Sequence, residues 1–258
     1  MGAGRAGHAW FLLLTMLARL LRAGRYSRVR VAHRGDRERV HKRRRFYAPL
    51  LVAMGGPLMK LLDTGVRVLP QHEWQQRERR LYERVHGASI RIGTRGTLSL
   101  PRLHGKTLAV LLEDPALEPH LRARAIDLAV RALTDFHRLG FTHGDAMAEN
   151  VMIDLDAGRA HWFDFETVHD LDRPMDWRRA DDLRALLATC LLRTSPHDCP
   201  ATARRIVDAY GDERVSRLLA TSYASTRRRA LVYHLGQAPL SLHCFREIAR
   251  LLRERATS

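Results

Sequence analysis

Cysteine is rare in this chain, lysine is rarer than its charge suggests, and acidic residues are outnumbered. The three cysteines (Cys190, Cys199 and Cys244) are odd in number and show no C-x-x-C spacing. That excludes a disulfide framework and a cysteine-rich zinc site, and leaves buried or idle thiols in a reducing compartment. An apolar run sufficient to span a bilayer is also lacking. Ala9–Ala18 (AWFLLLTMLA) extends to Leu21 only past Arg19, short of the ~20 apolar residues a membrane-spanning helix requires. No clear small-x-small cleavage site follows it, as a signal peptide would need. The opening Met-Gly-Ala-Gly-Arg-Ala lacks the Ser or Thr of a myristoylation signal. Helix-turn-helix, zinc-finger and aromatic RNA-platform patterns are absent, so nucleic acid is not an expected partner.

What is present is charge and enough apolar residue for a core. The 258 residues are 45% apolar and 28% charged, with a net charge of +16 and a pI near 11.0. Only Lys42, Lys60 and Lys106 are lysines; the other 41 basic residues are arginine. Residues 1–45 hold 13 Arg and Lys against 2 Asp and Glu, a net +11, which leaves +5 for the other 213 residues. The basic excess is therefore a property of the leader, and an anionic partner such as a membrane surface is to be sought there. Trp10, Leu13, Leu14, Leu17, Leu20 and Leu21 share one helical face. That face either lies in an anionic membrane surface or packs on the domain's own core.

Residues 27–45 predict a hairpin, in which Val29 and Val31 alternate with arginines and Arg34-Gly35-Asp36 supplies the turn. Residues 46–63 read as an apolar helical or irregular stretch broken by Gly55-Gly56-Pro57, and 72–85 as a helix with Trp74, Leu81 and Val85 on one side. Short strands are expected at 88–93 and 96–100, a connector at 101–105, a short helix at 107–112 and a long one at 121–139, stopped by Gly140. A second hairpin joins Asn150–Ile153 to His161–Phe163, and helices are expected at 179–192, 201–209, 213–234 and 240–254. The order predicts an α+β fold.

The chemistry concentrates in residues 141–166, FTHGDAMAENVMIDLDAGRAHWFDFE. Asp145 is followed five positions on by Asn150, then by the hairpin, then by Asp164. Such a loop can offer a carboxylate to a hydroxyl and oxygen ligands to a hard cation such as Mg²⁺. With His143-Gly144-Asp145, Asn150 and Asp164-Phe165-Glu166, the chain resembles the protein kinase-like superfamily, whose catalytic loop is His-x-Asp-x-x-x-x-Asn followed by Asp-Phe-Gly. The resemblance implies a two-lobed fold, with Asp145 as the catalytic base, Asn150 and Asp164 as metal ligands, and His143 as a prop of the loop. Gly144 stands where many protein kinases carry arginine, Glu166 replaces the motif's glycine, and only 13 residues separate Asp164 from Trp177. These departures are similar to the small His-Gly-Asp kinases. Trp74-x-x-Arg77-Glu78-x-x-x-Tyr82 and Leu100-Pro101-x-Leu103-x-Gly105-x-Thr107-Leu108 most resemble the lipopolysaccharide core (Kdo/heptose) kinase type.

Such a site takes one lysine for the α/β-phosphates and a helix glutamate to fix it. Lys106 follows the connector and is excluded if the lobe order holds. Lys42, alternating inward with Val40, is favoured over Lys60, which remains open. Glu73, Glu78 and Glu83 share a helix, and Glu78 matches the resemblance best, although 36 residues separate it from Lys42. No Gly-rich phosphate loop precedes Lys42. Asp182 is expected near a helix start, where the resemblance implies that it bonds the catalytic loop's backbone; N-capping by Asp181 or Asp182 is the other reading, and the two are compatible.

The chain is expected to divide into a basic amphipathic helix at 1–26, an N-lobe at 27–104 and a helical C-lobe at 105–258, the resemblance covering roughly residues 28–190. The activity it implies is transfer of the ATP γ-phosphate, with Mg²⁺, to a hydroxyl of a lipopolysaccharide-type sugar or glycolipid. The site of action would be cytoplasmic or the inner face of the plasma membrane. An atypical RIO-like serine/threonine protein kinase and a pseudokinase scaffold are the alternatives.

Overall fold

The computed structural model describes residues 27–34, 37–46, 48, 52, 64–93, 96–224 and 242–257. The leader helix, most of the apolar stretch 46–63 and Lys60 lie outside the described residues. The fold is α+β, and every strand pairing among the described residues is antiparallel.

The expected basic hairpin forms from β1 (Ser27–Arg34) and β2 (Arg37–Arg44). With β4 (Arg91–Ile92) and β5 (Leu98–Pro101) it makes a four-stranded sheet in the order β1-β2-β5-β4. Residues directly opposite in an antiparallel pair share a face. Lys42 lies opposite Val29 and Leu98, and Val40 lies opposite Val31 and Leu100, so these residues form the inner face. Leu98 and Leu100 are buried there, whereas Val29 and Val31, near the open end of the same face, are 60% and 50% exposed. β3 (Val66–Val68) and β9 (Thr167–His169) form a separate two-stranded sheet that the sequence pattern did not predict.

α1 (Gln71–His86) packs one face inward through Trp74, Glu78, Leu81 and Tyr82, spaced three and four apart. β6 (Lys106–Thr107) leads directly into α2 (Leu108–Glu113), whose N-terminus is capped by the Thr107 hydroxyl, 3.3 Å from the Val110 N–H. α3 (Pro119–Arg138) begins two residues earlier than its apolar stripe suggests, because Pro119 suits the first helical turn. β7 (Val151–Asp154) and β8 (Arg159–Trp162) form the second hairpin and pair with β6. α4 (Met175–Leu191), α5 (Cys199–Tyr210), α6 (Glu213–Ala224) and α7 (Leu242–Thr257) complete the described helices. α4 starts at Met175 rather than near 179, since Pro174 sets its N-cap. Asp181 and Asp182 therefore lie inside the helix and do not cap it. Cys190 and Cys199 are buried free thiols, as expected.

One continuous buried cluster runs from Trp74, Leu81 and Leu98 through Phe136 and Phe165 to Leu183, Leu187 and Leu252. Phe136 on α3 stacks on Phe165, with ring centroids 5.6 Å apart and planes 9° from parallel. No helix among the described residues is long and apolar enough to cross a membrane. Phe136 is 1% exposed. Phe136→Ala is expected to lower the unfolding free energy by about 3–5 kcal/mol, measured as a lower urea midpoint with an unchanged m-value.

Candidate functional site

Strand alternation turns Lys42 inward, where it is 5% exposed. Its Nζ lies 2.6 Å from Asp164 Oδ1, 2.8 Å from Glu166 Oε1 and 3.9 Å from Glu78 Oε1. The ammonium also sits 5.1 Å from the centre of the Trp74 ring. Burial alone would lower the Lys42 pKa, but the carboxylates of Asp164, Glu78 and Glu166 together push it up. Glu78 goes the other way from an ordinary carboxylate. Burial, with the like charges of Asp164 and Glu166, raises it to about 7 against the pull of Lys42. Its Oε2 accepts from Trp74 Nε1 at 3.1 Å and from the Phe165 backbone N–H at 2.9 Å. α1 is thereby fixed to both the sheet and the Asp164 segment.

Asp164 is the one non-glycine residue with positive φ among the described residues, at 68°. Aspartate tolerates this left-handed region better than most residues, and a conformation of this kind persists where the surroundings impose it. Here Phe165 is fully buried on one side of it, and Lys42 holds its carboxylate on the other.

Residues 143–150 are stitched to the same segment. His143 Nε2 donates to Phe163 O at 3.0 Å, and the Phe163 N–H donates to Asn150 O at 3.0 Å. His143 Nδ1 accepts the Asp145 N–H at 3.2 Å. These two bonds require the neutral Nε2–H tautomer, and burial holds His143 down to about 4. Asn150 Nδ2 donates to Asp145 O at 2.8 Å and Oδ2 at 3.1 Å, which orients the Asp145 carboxylate.

Asp182 anchors the loop from inside α4. Its carboxylate accepts the His143 N–H at 2.7 Å, the Gly144 N–H at 2.8 Å and His137 Nε2 at 3.0 Å. Burial opposes its ionisation, but His169, His137 and His143 around it hold it well below the usual carboxylate range. Gly144 has φ 83°, and a Cβ there would meet the backbone of Thr167 and Val168 at 3.0 Å. β9 passes too close for any side chain, so this position takes glycine.

The structure thus joins Lys42, Glu78 and Asp164 directly, joins Asp145 to Asn150, and links the two groups through Phe163. Glu73 pairs with Arg67 and Glu83 with Arg79, all near the surface, and neither glutamate is placed beside Lys42. Lys106 pairs with Asp114. Sequence reasoning assigned Glu166 no role, yet its Oε1 also accepts from the Ser27 hydroxyl at 2.6 Å, and Arg44 approaches its Oε2 at 3.7 Å. The signal was a glutamate in place of the motif's glycine, readable only as a departure.

The residues fit a magnesium ion held together with phosphates. Asp164 supplies a carboxylate that is partly exposed, and no described residue donates to Asn150 Oδ1. Among the described residues no group of three His, Cys, Asp or Glu is placed to hold a metal unaided. No protein-family model matches the chain, and no curated protein matches it.

Acid sensitivity follows from the buried histidines. Burial pushes His143 and also His86 down to about 4 from 6.5, so the unfolded chain binds more protons between those values. Their contribution to stability is full above pH 6.5 and is lost as pH falls toward 4. His169, raised by Asp182 and Asp181 against burial, acts in a different window: its contribution is full below pH 6.5 and is lost as pH rises above that value. The urea midpoint is expected to fall across this range, and to fall less steeply in His86→Gln.

Proposed function

We propose that the chain is an ATP-dependent phosphotransferase of the protein kinase-like class. One observation supports this most. A single buried lysine meets both a helix glutamate and the aspartate of Asp164-Phe165, next to a stitched Asp145–Asn150 loop. The strand order β1-β2-β5-β4, with α1 inserted between β2 and β4, supports a two-lobed reading. In it, residues 27–104 cover the nucleotide and residues 105–258 carry the catalytic loop.

In this mechanism Lys42 neutralises the α/β-phosphates, and Glu78 keeps the ammonium aimed. Val29 and Val31, half exposed on the face that carries Lys42, offer an apolar surface to the purine base. Asn150 and Asp164 would hold Mg²⁺, which when bound neutralises phosphate charge. Asp145 orients the acceptor hydroxyl and takes its proton, while His143 and Asp182 keep the loop in place. The acceptor that best suits the Trp74-to-Tyr82 pattern and the basic leader is a lipopolysaccharide-type sugar at a membrane surface.

γ-Labelled ATP, Mg²⁺ and the full chain, offered core-sugar glycolipid and general protein substrates in parallel, test the reading. Label in the glycolipid supports it. Label in protein substrates favours the RIO-like kinase, and label in neither favours a pseudokinase scaffold. Asp145→Ala is expected to lower kcat by about 10²–10⁴-fold with ATP binding retained. Lys42→Ala is expected instead to raise the ATP KM, read from initial rates against ATP concentration.

A further inference from the structure

The four-stranded sheet sorts the basic residues of its strands by face. Lys42 and Arg44 turn inward and are buried. The opposite face carries Arg28, Arg30, Arg39, His41 and Arg43, and across the sheet Arg91. The pairings put Arg30, His41, Ser99 and Arg91 in one row across all four strands. Arg28 lies directly opposite Arg43 in the next row. Like charges directly opposed destabilise a sheet. A repulsion of this kind without a local counter-charge marks a surface that something else neutralises. Arg28, Arg30, Arg43 and Arg91 make no ion pair with any described residue, and Arg39 bonds only to Ser99 and Ser89. The only acid on the two hairpin strands is Glu38, which falls on the inner face by register and pairs with Arg102.

We propose that this outer face is a docking surface for the anionic headgroups of a lipid bilayer. Charge complementarity points to an anionic partner. The position of the leader selects the bilayer over nucleic acid, because the apolar run that ends at Leu21 stops six residues before β1 begins at Ser27. The apolar leader and the arginine face would then meet the same interface, one by burial and the other by charge. The face is broad and spreads its arginines over separate strands, as suits many headgroups rather than one phosphate. The proposal does not depend on the phosphotransfer reading, since binding is measured without nucleotide.

The test is co-sedimentation of the full chain with vesicles of phosphatidylcholine alone and of phosphatidylcholine with phosphatidylglycerol. Binding to the anionic vesicles only, weakened by salt, is expected. Replacing Arg28, Arg30, Arg43 and Arg91 together by Gln is expected to lower the partition coefficient by at least about a hundredfold. The single variant Arg91→Glu, at an exposed position on β4, is expected to lower it about tenfold or more with an unchanged circular dichroism spectrum. As a control, Arg131→Gln on α3 is expected to bind like the parent. Equal binding to both vesicle types would overturn the proposal. So would parent-like binding by both face variants, or tighter binding to duplex oligonucleotide than to anionic vesicles.

Discussion

A single ammonium ion, buried among three carboxylates, sets where the parts of this molecule lie. Lys42 comes from β2, Glu78 from α1, and Asp164 and Glu166 from the segment between β8 and β9. Removing one partner from a buried ion cluster leaves an uncompensated charge, typically a loss of ~3–5 kcal/mol. Burial raises Glu78, the most deeply buried carboxyl of the three, to about 7 against the pull of Lys42, and the like charges of Asp164 and Glu166 add to the shift. Its position is nonetheless fixed, because Trp74 and the Phe165 backbone both donate to it. The arrangement keeps a dry cation at the mouth of the sheet, where its attraction for an anion is stronger than in water.

Asp182 plays the corresponding part for the loop. It is a lone carboxylate 1% exposed inside a helix, an expensive place for charge, and two backbone N–H groups and a histidine offset that cost. The chain of contacts continues outward, since His137 Nδ1 lies 2.7 Å from the Tyr210 hydroxyl. Residues from α3, α4 and α5 therefore converge on a loop that none of them contains.

Much of this was legible from sequence. Period-two alternation around Val40 and Lys42 favoured Lys42 over Lys60 as the inward lysine, and the strand does turn it inward, as a sheet with one buried face requires. The Asp-x-x-x-x-Asn spacing, the intervening hairpin and Asp164 marked the loop, and the resemblance, rather than helical spacing, singled out Glu78 among the three glutamates of its helix. The misses have physical causes too. β3 and β9 are three residues each, too short for any periodicity. α4 began early because a proline set its start, so the reading of Asp181 or Asp182 as a cap fails, while the other reading of Asp182, a bond to the loop backbone, agrees with the structure. Glu166 went unread because its partners, Ser27 and Lys42, lie over a hundred residues away in sequence, and long-range pairing has no local signature.

The small sheet of β3 and β9 has a mechanical consequence. Val66–Val68 ends two residues before the Pro70 that starts α1, while Thr167–His169 begins two residues after Phe165. Backbone bonds at both ends close the joint, with Leu69 N–H donating to Glu166 O at 2.9 Å and Asp170 N–H to Gly65 O at 2.9 Å. The root of α1 and the strand behind Asp164 are thus strapped together. A shift of either element would therefore be felt by the other, with the Glu78 bond to the Phe165 N–H as a third tie between them.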